Sequence, residues 1–179
     1  MEKIIFIDRD GVINVDPIGD YVKSWEEFKF ENGALEGLKI LSDRGYGIIL
    51  ISNQAGIGDG VFSKETLDDI HRKMLEVFAG RGIRIRSSHY CLHGKNAGCK
   101  CRKPETGLFQ AAVKGIQYDP QRTFLIGDKA TDMEAGVRFG IKTIFVRTGH
   151  GIFDEPRLEG RFKPDFIADS LTDAVKLLP

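Results

Sequence analysis

The chain has 179 residues, 41% of them hydrophobic, and its 26 Lys plus Arg are balanced by 26 Asp plus Glu, leaving no formal net charge. One domain with one core is the expectation at this length. The charge balance argues against a dedicated nucleic-acid binder, and the lack of a long apolar run or a charged-then-apolar leader points to a soluble, cytoplasmic protein without a membrane partner.

The first element is the apolar run Ile4-Ile5-Phe6-Ile7, which reads as a strand buried on both faces, as in a parallel sheet. The polar stretch Asn14 to Phe30, holding Pro17 and Gly19, reads as a loop or hairpin. A helix is expected from about Ala34 to Asp43, with Leu35, Leu38 and Leu41 on one face and Gly45 as its stop. Gly47-Ile48-Ile49-Leu50-Ile51 is a second buried strand, and Ser63 caps a longer helix in which Leu67, Ile70, Met74 and Val77 repeat at helical spacing as core. Thr106 caps a helix through Leu108, Ala111 and Ala112. The strand Thr123-Phe124-Leu125-Ile126, a helix from about Ala130 to Phe139, the strand Thr143-Ile144-Phe145-Val146, a short strand at Phe166-Ile167 and a helix from Leu171 to Leu178 complete the chain. This alternation predicts an α/β fold, a single-domain, doubly wound, Rossmann-like parallel sheet flanked by helices over residues 1–179.

Three of these strands deliver polar side chains at their carboxyl ends, the edge where open α/β sheets bind ligands. They are Asp8-Arg9-Asp10-Gly11, then Ser52-Asn53-Gln54, then Gly127-Asp128-Lys129 with Asp132 four residues past Asp128. The basic pair Arg102-Lys103 lies between the second and third. Two carboxylates about 4 Å apart repel by roughly 4 kcal/mol at an effective dielectric near 20, so Asp8 and Asp10 call for a cation, and Mg²⁺ suits ligands that are all oxygen.

All three cysteines fall between residues 91 and 101, as Cys91-Leu92-His93 and Cys99-Lys100-Cys101. Cys91, His93, Cys99 and Cys101 supply three sulfurs and one nitrogen, a complete tetrahedral set for structural zinc, so a zinc-binding loop is expected at 89–103. A disulfide fits an odd count poorly, and no residue offers itself as the base for a catalytic cysteine. His89 is a spare ligand or a strand-edge residue, His71 reads as solvated on a helix, and His150 is a loop residue. The zinc loop ends where Arg102 begins, so a metal there would fix the backbone beside two cations facing the sheet edge.

The order Asp-x-Asp-Gly, Ser-Asn-Gln, Lys-Pro, Gly-Asp-x-x-x-Asp resembles the four signature elements of the haloacid-dehalogenase-like phosphatases, over nearly the whole chain. The resemblance implies that Asp8 attacks phosphorus to give an aspartyl-phosphate. It implies that Asp10 protonates the leaving alcohol and then deprotonates the hydrolytic water, that Ser52 hydrogen-bonds the phosphoryl group, and that Lys103 neutralises it. Mg²⁺ would be held by Asp8, the backbone carbonyl of Asp10, and Asp128. Asp132 would orient Lys103, assist at the metal, or be a surface acid. No large cap domain fits between these elements, and capless zinc-loop members resemble the D,D-heptose 1,7-bisphosphate phosphatases and the histidinol-phosphate phosphatases. Asp20-Tyr21-Val22 through Phe28-Lys29-Phe30, with Val146-Arg147-Thr148-Gly149, looks more like the heptose enzymes, while Gly-Asp-Lys-Ala-Thr-Asp leans towards the histidinol ones. By that likeness a monomer would take a small phosphorylated sugar, contacted by Arg9, Asp16, Gly19, Asn53, Gln54, Ala55, Arg102 and Lys129. Two readings of other kinds are a non-catalytic zinc-containing binding module and a nucleic-acid end-processing phosphatase. The latter lacks the basic, aromatic-rich track it would need.

Overall fold

The computed structural model describes residues 1–158 and 160–179. Strand β1 (Ile4–Ile7) is followed by helix α1 (Ala34–Asp43), strand β2 (Gly47–Asn53), helices α2 (Ala55–Gly58) and α3 (Lys64–Gly80), and strand β3 (Ile85–Cys91). Then come α4 (Gly107–Ala112), β4 (Phe124–Gly127), α5 (Ala130–Phe139), β5 (Lys142–Val146), α6 (Gly151–Asp154), β6 (Phe166–Ala168) and α7 (Leu171–Ala174). The six strands form one sheet in the order β3-β2-β1-β4-β5-β6, parallel at every pairing.

Strand alternation divides the core into two layers. Ile5 and Ile7 face one side with Leu38 and Leu41 of α1, Ile70, Met74 and Phe78 of α3, and Leu171 of α7. Ile4 and Phe6 face the other with Leu108 and Phe109 of α4 and Ala135 of α5. Phe6 meets Phe109 and Phe139 edge-on, at ring separations of 5.0 and 6.1 Å. With both faces covered, β1 is buried at every residue, and truncating Phe6 to Ala costs about 3–5 kcal/mol. The sheet winds outward from β1 through β2 to β3, then returns through β4 to β6. The reversal sits beside β1, where ligand crevices open in such sheets.

Helices α1 and α5 fall on their expected bounds, and the Ser63 hydroxyl accepts from the Thr66 amide to cap α3. Several expectations are corrected. Phe78 rather than Val77 completes the buried stripe of α3, because four-residue steps from Ile70 through Met74 lead to it. Thr106 stands at the start of α4, but its side chain makes no capping bond. Helix α7 stops at Ala174, and β2 extends through Ser52 and Asn53. Strand β3 is marked in the sequence only by the reading of His89 as a strand-edge residue: Ile85-Arg86-Ser87-Ser88-His89-Tyr90-Cys91 lies at the sheet edge and lacks the apolar run of a central strand. Between β1 and α1 there are turns and two isolated bridges around Asn14, one to Asp10 and one to Phe30, and no helical cap. Among the described residues no helix is long and apolar enough to cross a membrane.

Candidate active site

The carboxyl ends of β1, β2 and β4 open into a cleft of ≈ 580 Å³ lined by Asp8, Asp10, Asp16, Ser52, Arg102, Lys103, Lys129 and His150. Asp8 directly follows β1 and its amide donates to the Ile126 carbonyl (3.0 Å), which sets it beside the end of β4. Lys103 is sealed from solvent, and its Nζ lies 2.9 Å from Asp8 Oδ1, 2.5 Å from Asp132 Oδ1 and 2.9 Å from the Ile51 carbonyl. Asp132, on the first turn of α5, is 1% exposed and paired with Lys103, so it is not a surface acid. Asn53 clamps the same lysine's backbone: its amide oxygen accepts from the Lys103 N–H (3.0 Å) and its amide nitrogen donates to the Lys103 carbonyl (3.1 Å). The tip of β2 thus fixes where the ammonium enters.

Asp8, Asp128 and Asp132 bring carboxylate oxygens within 4.8 Å of one another. Asp128 Oδ1 is buried with no hydrogen-bond partner among the described residues, while Oδ2 accepts from the His150 amide (2.7 Å). Burial pushes the Asp128 carboxyl well above its ordinary range; Lys129 opposes that, and Asp8 and Asp132 reinforce it. Burial likewise raises Asp8 despite the pull of Lys103. An unbonded buried oxygen among crowded acids fits a hard cation such as Mg²⁺. The surrounding backbone is packed to match. Gly11, at φ 88°, would place a Cβ 2.1 Å from Asp128 Oδ2, and Gly149, at φ 57°, would place one 2.4 Å from the same oxygen.

Asp10 is held differently. Its Oδ1 accepts from Arg9 Nη2 (2.7 Å), Arg9 Nε (3.2 Å) and Asn14 Nδ2 (3.0 Å), and its Oδ2 from Gln54 Nε2 (2.6 Å) and Ser52 Oγ (3.4 Å). Burial alone would raise its pKa, but the Arg9 guanidinium and the bonds from Arg9 and Asn14 outweigh it and hold the carboxyl below its ordinary value. Arg9 and Gln54, 1% and 2% exposed, bond Asp10 and each other, Gln54 also donates to Ser52 Oγ, and Arg9 Nη1 has no partner among the described residues. Ala55 is buried at the start of α2 and Gly19 lies at the cleft wall. Lys129 Nζ is bound to Asp16 Oδ2 (2.6 Å), which His150 Nε2 also approaches (3.1 Å), so this side of the cleft carries its own counter-charge. His150 has no signal in the sequence beyond following the glycine turn after β5. Asn14 and Lys95, the latter on the zinc loop and lining the cleft, also escaped the sequence reading. His71 is not a solvated surface residue: it is half-buried, and its Nδ1 lies 2.8 Å from the Tyr90 hydroxyl.

At the end of β3 and in the loop after it, Cys91, His93, Cys99 and Cys101 converge within 4.8 Å. The Sγ separations are 3.6 Å (Cys91–Cys99), 3.2 Å (Cys91–Cys101) and 3.5 Å (Cys99–Cys101), and His93 Nδ1 lies 3.6 Å from Cys91 and 3.2 Å from Cys101. Sulfurs about 2.3 Å from a tetrahedral zinc stand roughly 3.8 Å apart, so the cage is near the right size. All three cysteines are free of disulfides, and His89 lies outside the group. Around Cys99, burial is outweighed by the Arg102 amide and neighbouring donors, which bring the thiol down to about 7.

Residues 100–174 match the HAD-hydrolase-like family model. The chain is 36% identical to a D-glycero-beta-D-manno-heptose-1,7-bisphosphate 7-phosphatase of Pasteurella multocida, covering 99% of this chain and 97% of the relative. It is 36% identical, over 79% of its length, to 40% of a histidine biosynthesis bifunctional protein of Campylobacter jejuni. Its fold matches the D,D-heptose 1,7-bisphosphate phosphatase of B. bronchiseptica, crystallised with magnesium and phosphate, with a TM-score of 0.91, 30% identity, and coverage of 98% of this chain and 97% of that one. With paired acids, a buried lysine and a further acid gathered at the strand ends of this sheet, the chain belongs to the haloacid-dehalogenase-like phosphatases, enzymes that hydrolyse phosphoric monoesters.

Proposed function

We propose that this chain, as one domain and a cytoplasmic monomer, removes the 7-phosphate of D-glycero-D-manno-heptose 1,7-bisphosphate, a precursor of lipopolysaccharide and surface-glycan heptose. The observation that carries the phosphoryl chemistry is the joint placement of Asp8, Lys103, Asp128 and Asp132 against the separately held Asp10. Asp8 attacks phosphorus and Lys103 balances the charge that gathers on the phosphoryl oxygens. Asp10 gives its proton to the departing alkyl oxygen and later takes one from water as the aspartyl-phosphate is hydrolysed. Mg²⁺, held by Asp8, Asp128 and the Asp10 carbonyl, would supply further positive charge to the phosphoryl group. Ser52 sits at the end of β2 within reach of that site, and zinc held by Cys91, His93, Cys99 and Cys101 would stiffen the loop leading into Arg102.

The substrate reading is supported by the relatives' names and by the cleft's charge. Arg102 Nη1 is buried without a hydrogen-bond partner among the described residues, and Lys95 lines the same wall. These cations suit a second phosphate and disfavour the ammonium of histidinol phosphate. The Campylobacter match favours that amine as the second reading. Comparing kcat/KM for heptose 1,7-bisphosphate, heptose 7-phosphate and histidinol phosphate tests the choice. We expect the bisphosphate to lead by at least tenfold, about 1.4 kcal/mol of transition-state binding. A lead for histidinol phosphate refutes the heptose reading.

A further inference from the structure

We infer that Arg9 and Gln54 are positioning residues for the acid–base Asp10, and that Gln54 guards the oxygen, Oδ2, from which the proton leaves. The inference rests on the reading of Asp10 as the acid.

Gln54 has two amide hydrogens and one carbonyl oxygen to offer. The hydrogens serve Asp10 Oδ2 (2.6 Å) and Ser52 Oγ (3.0 Å), and the oxygen accepts from Arg9 Nη2 (3.2 Å). A substrate oxygen could take an amide hydrogen only by breaking one of these bonds, in a side chain 2% exposed. The amide's orientation is also forced. Guanidinium only donates and carboxylate only accepts, so turning the amide over would set N–H against N–H and oxygen against oxygen. Arg9 therefore acts twice, gripping Asp10 Oδ1 through Nη2 and Nε (2.7 and 3.2 Å) and locking the residue that holds Oδ2.

The two oxygens of Asp10 are thereby made unequal. Oδ1 is the anchor, with a two-pronged guanidinium contact and a bond from Asn14 Nδ2 (3.0 Å). Oδ2 is bound by Gln54 and, at 3.4 Å, by Ser52, two residues that line the cleft with Asp10. Asp10 enters the first half-reaction as the acid, the form that Arg9 opposes and the phosphoryl charge beside it favours; the bond from phosphorus to the ester oxygen breaks, one from phosphorus to Asp8 forms, and the Oδ2 proton moves to the departing oxygen, leaving an alcohol and the Asp10 carboxylate. In the second half, water attacks phosphorus and its proton returns to Oδ2, restoring both aspartic groups and releasing phosphate. A misplacement of about 1 Å in such a group costs on the order of 10²-fold.

Leaving-group dependence separates positioning from structure or substrate binding. An alkyl phosphate needs its oxygen protonated as it leaves, whereas an aryl phosphate with an acidic phenol does not. The readout is kcat/KM, which ends with departure of the leaving group and so excludes the later hydrolysis. Gln54→Met keeps the shape without the bonds, and Arg9→Lys keeps the charge without the planar fork. Both should lower kcat/KM for the alkyl ester by roughly 10–100-fold while the aryl ester changes less than about threefold. Asp10→Asn, run in parallel, should show the same selectivity more strongly. If Gln54→Met, folded by circular dichroism, slows both esters equally while Asp10→Asn discriminates, the positioning role is overturned and the acid stands. If Asp10→Asn does not discriminate either, the acid reading falls and the inference with it.

Discussion

Replacing Lys103 by Met keeps the side chain's length and removes its charge from a site closed to solvent. The ammonium lies 2.9 Å from Asp8 Oδ1 and 2.5 Å from Asp132 Oδ1, and those acids share their 4.8 Å neighbourhood with Asp128. Burial lowers the affinity of Lys103 for its proton, but Asp132 and Asp8 outweigh it, so the lysine is charged in the native protein. Without it, carboxylates repel at about 3–4 kcal/mol per pair at an effective dielectric near 20. Breaking a buried ion pair from one side typically costs about 3–5 kcal/mol, or roughly 6–20 °C in Tm for a chain of this size. The crowded acids should then bind a divalent cation more tightly than wild type, because the lysine no longer competes for them. Urea unfolding in metal-free buffer should show the full deficit, and millimolar Mg²⁺ should narrow it through linkage. Turnover should remain at least 10²-fold down at saturating Mg²⁺, since the metal does not replace the lysine at the phosphoryl oxygens. A wild-type midpoint without Mg²⁺, or a Mg²⁺ response no larger than that of wild type, would refute this account of the charge cluster.

Asp8→Asn should fold normally yet lose turnover by several orders of magnitude, with no acid-stable phosphorylated protein after denaturing quench; wild-type hydrolysis would exclude the covalent route. Metal analysis should find one zinc per chain and none after Cys99→Ser with Cys101→Ser, together with a lower Tm and weaker binding of a bisphosphate; full zinc in the double variant would show that the ligands are others. Burial and the nearby Arg9 charge depress the pKa of His71 from 6.5, so below pH 6.5 the unfolded chain takes up a proton that the native chain refuses, and stability falls until the native value is passed. His71→Gln should lack that loss, which urea midpoints between pH 7.5 and 5 will detect; equal slopes in both proteins would remove His71 as its source.

What could be read from the sequence follows burial. Strands with both faces covered must be apolar throughout, so β1, β2, β4 and β5 announced themselves, and their ends located Asp8, Ser52 and Asp128. Edge strand β3 has solvent on one flank and alternates polar residues that no periodicity rule separates from a loop. Local spacing revealed the four metal-binding candidates because all lie between residues 91 and 101. It could not settle Asp132, since an acid on the first turn of a helix looks alike whether it meets solvent or a buried lysine. Nor could it find the pairing of Asp16 with Lys129, 113 residues apart. Arg9 shows the limit most sharply: a cation between two acids in sequence suggests a substrate contact, and spacing could not show that this residue at the cleft wall bonds one of those acids.

The distribution of charge around the cleft assigns its two walls different work. On one side Asp16 pairs with Lys129 and is also approached by His150 Nε2, so the lysine's charge is already committed before any ligand arrives. On the other, the side chains of Arg102 and Lys95 make no ion pair among the described residues, and Lys95 Nζ sits 5.8 Å from the Tyr21 ring, joining the Cys/His loop to the loop after β1. A second phosphate entering the cleft would therefore be drawn to the wall that carries Arg102 and Lys95. Arg102 holds its place there because its amide bonds to Cys99 and Asn53 clamps the next residue. A loop with no helix of its own can then present a fixed cation to the cleft. Zinc held by Cys91, His93, Cys99 and Cys101 would act on which phosphate ester is chosen, and the acids at the ends of β1 and β4 would act on how it is cleaved.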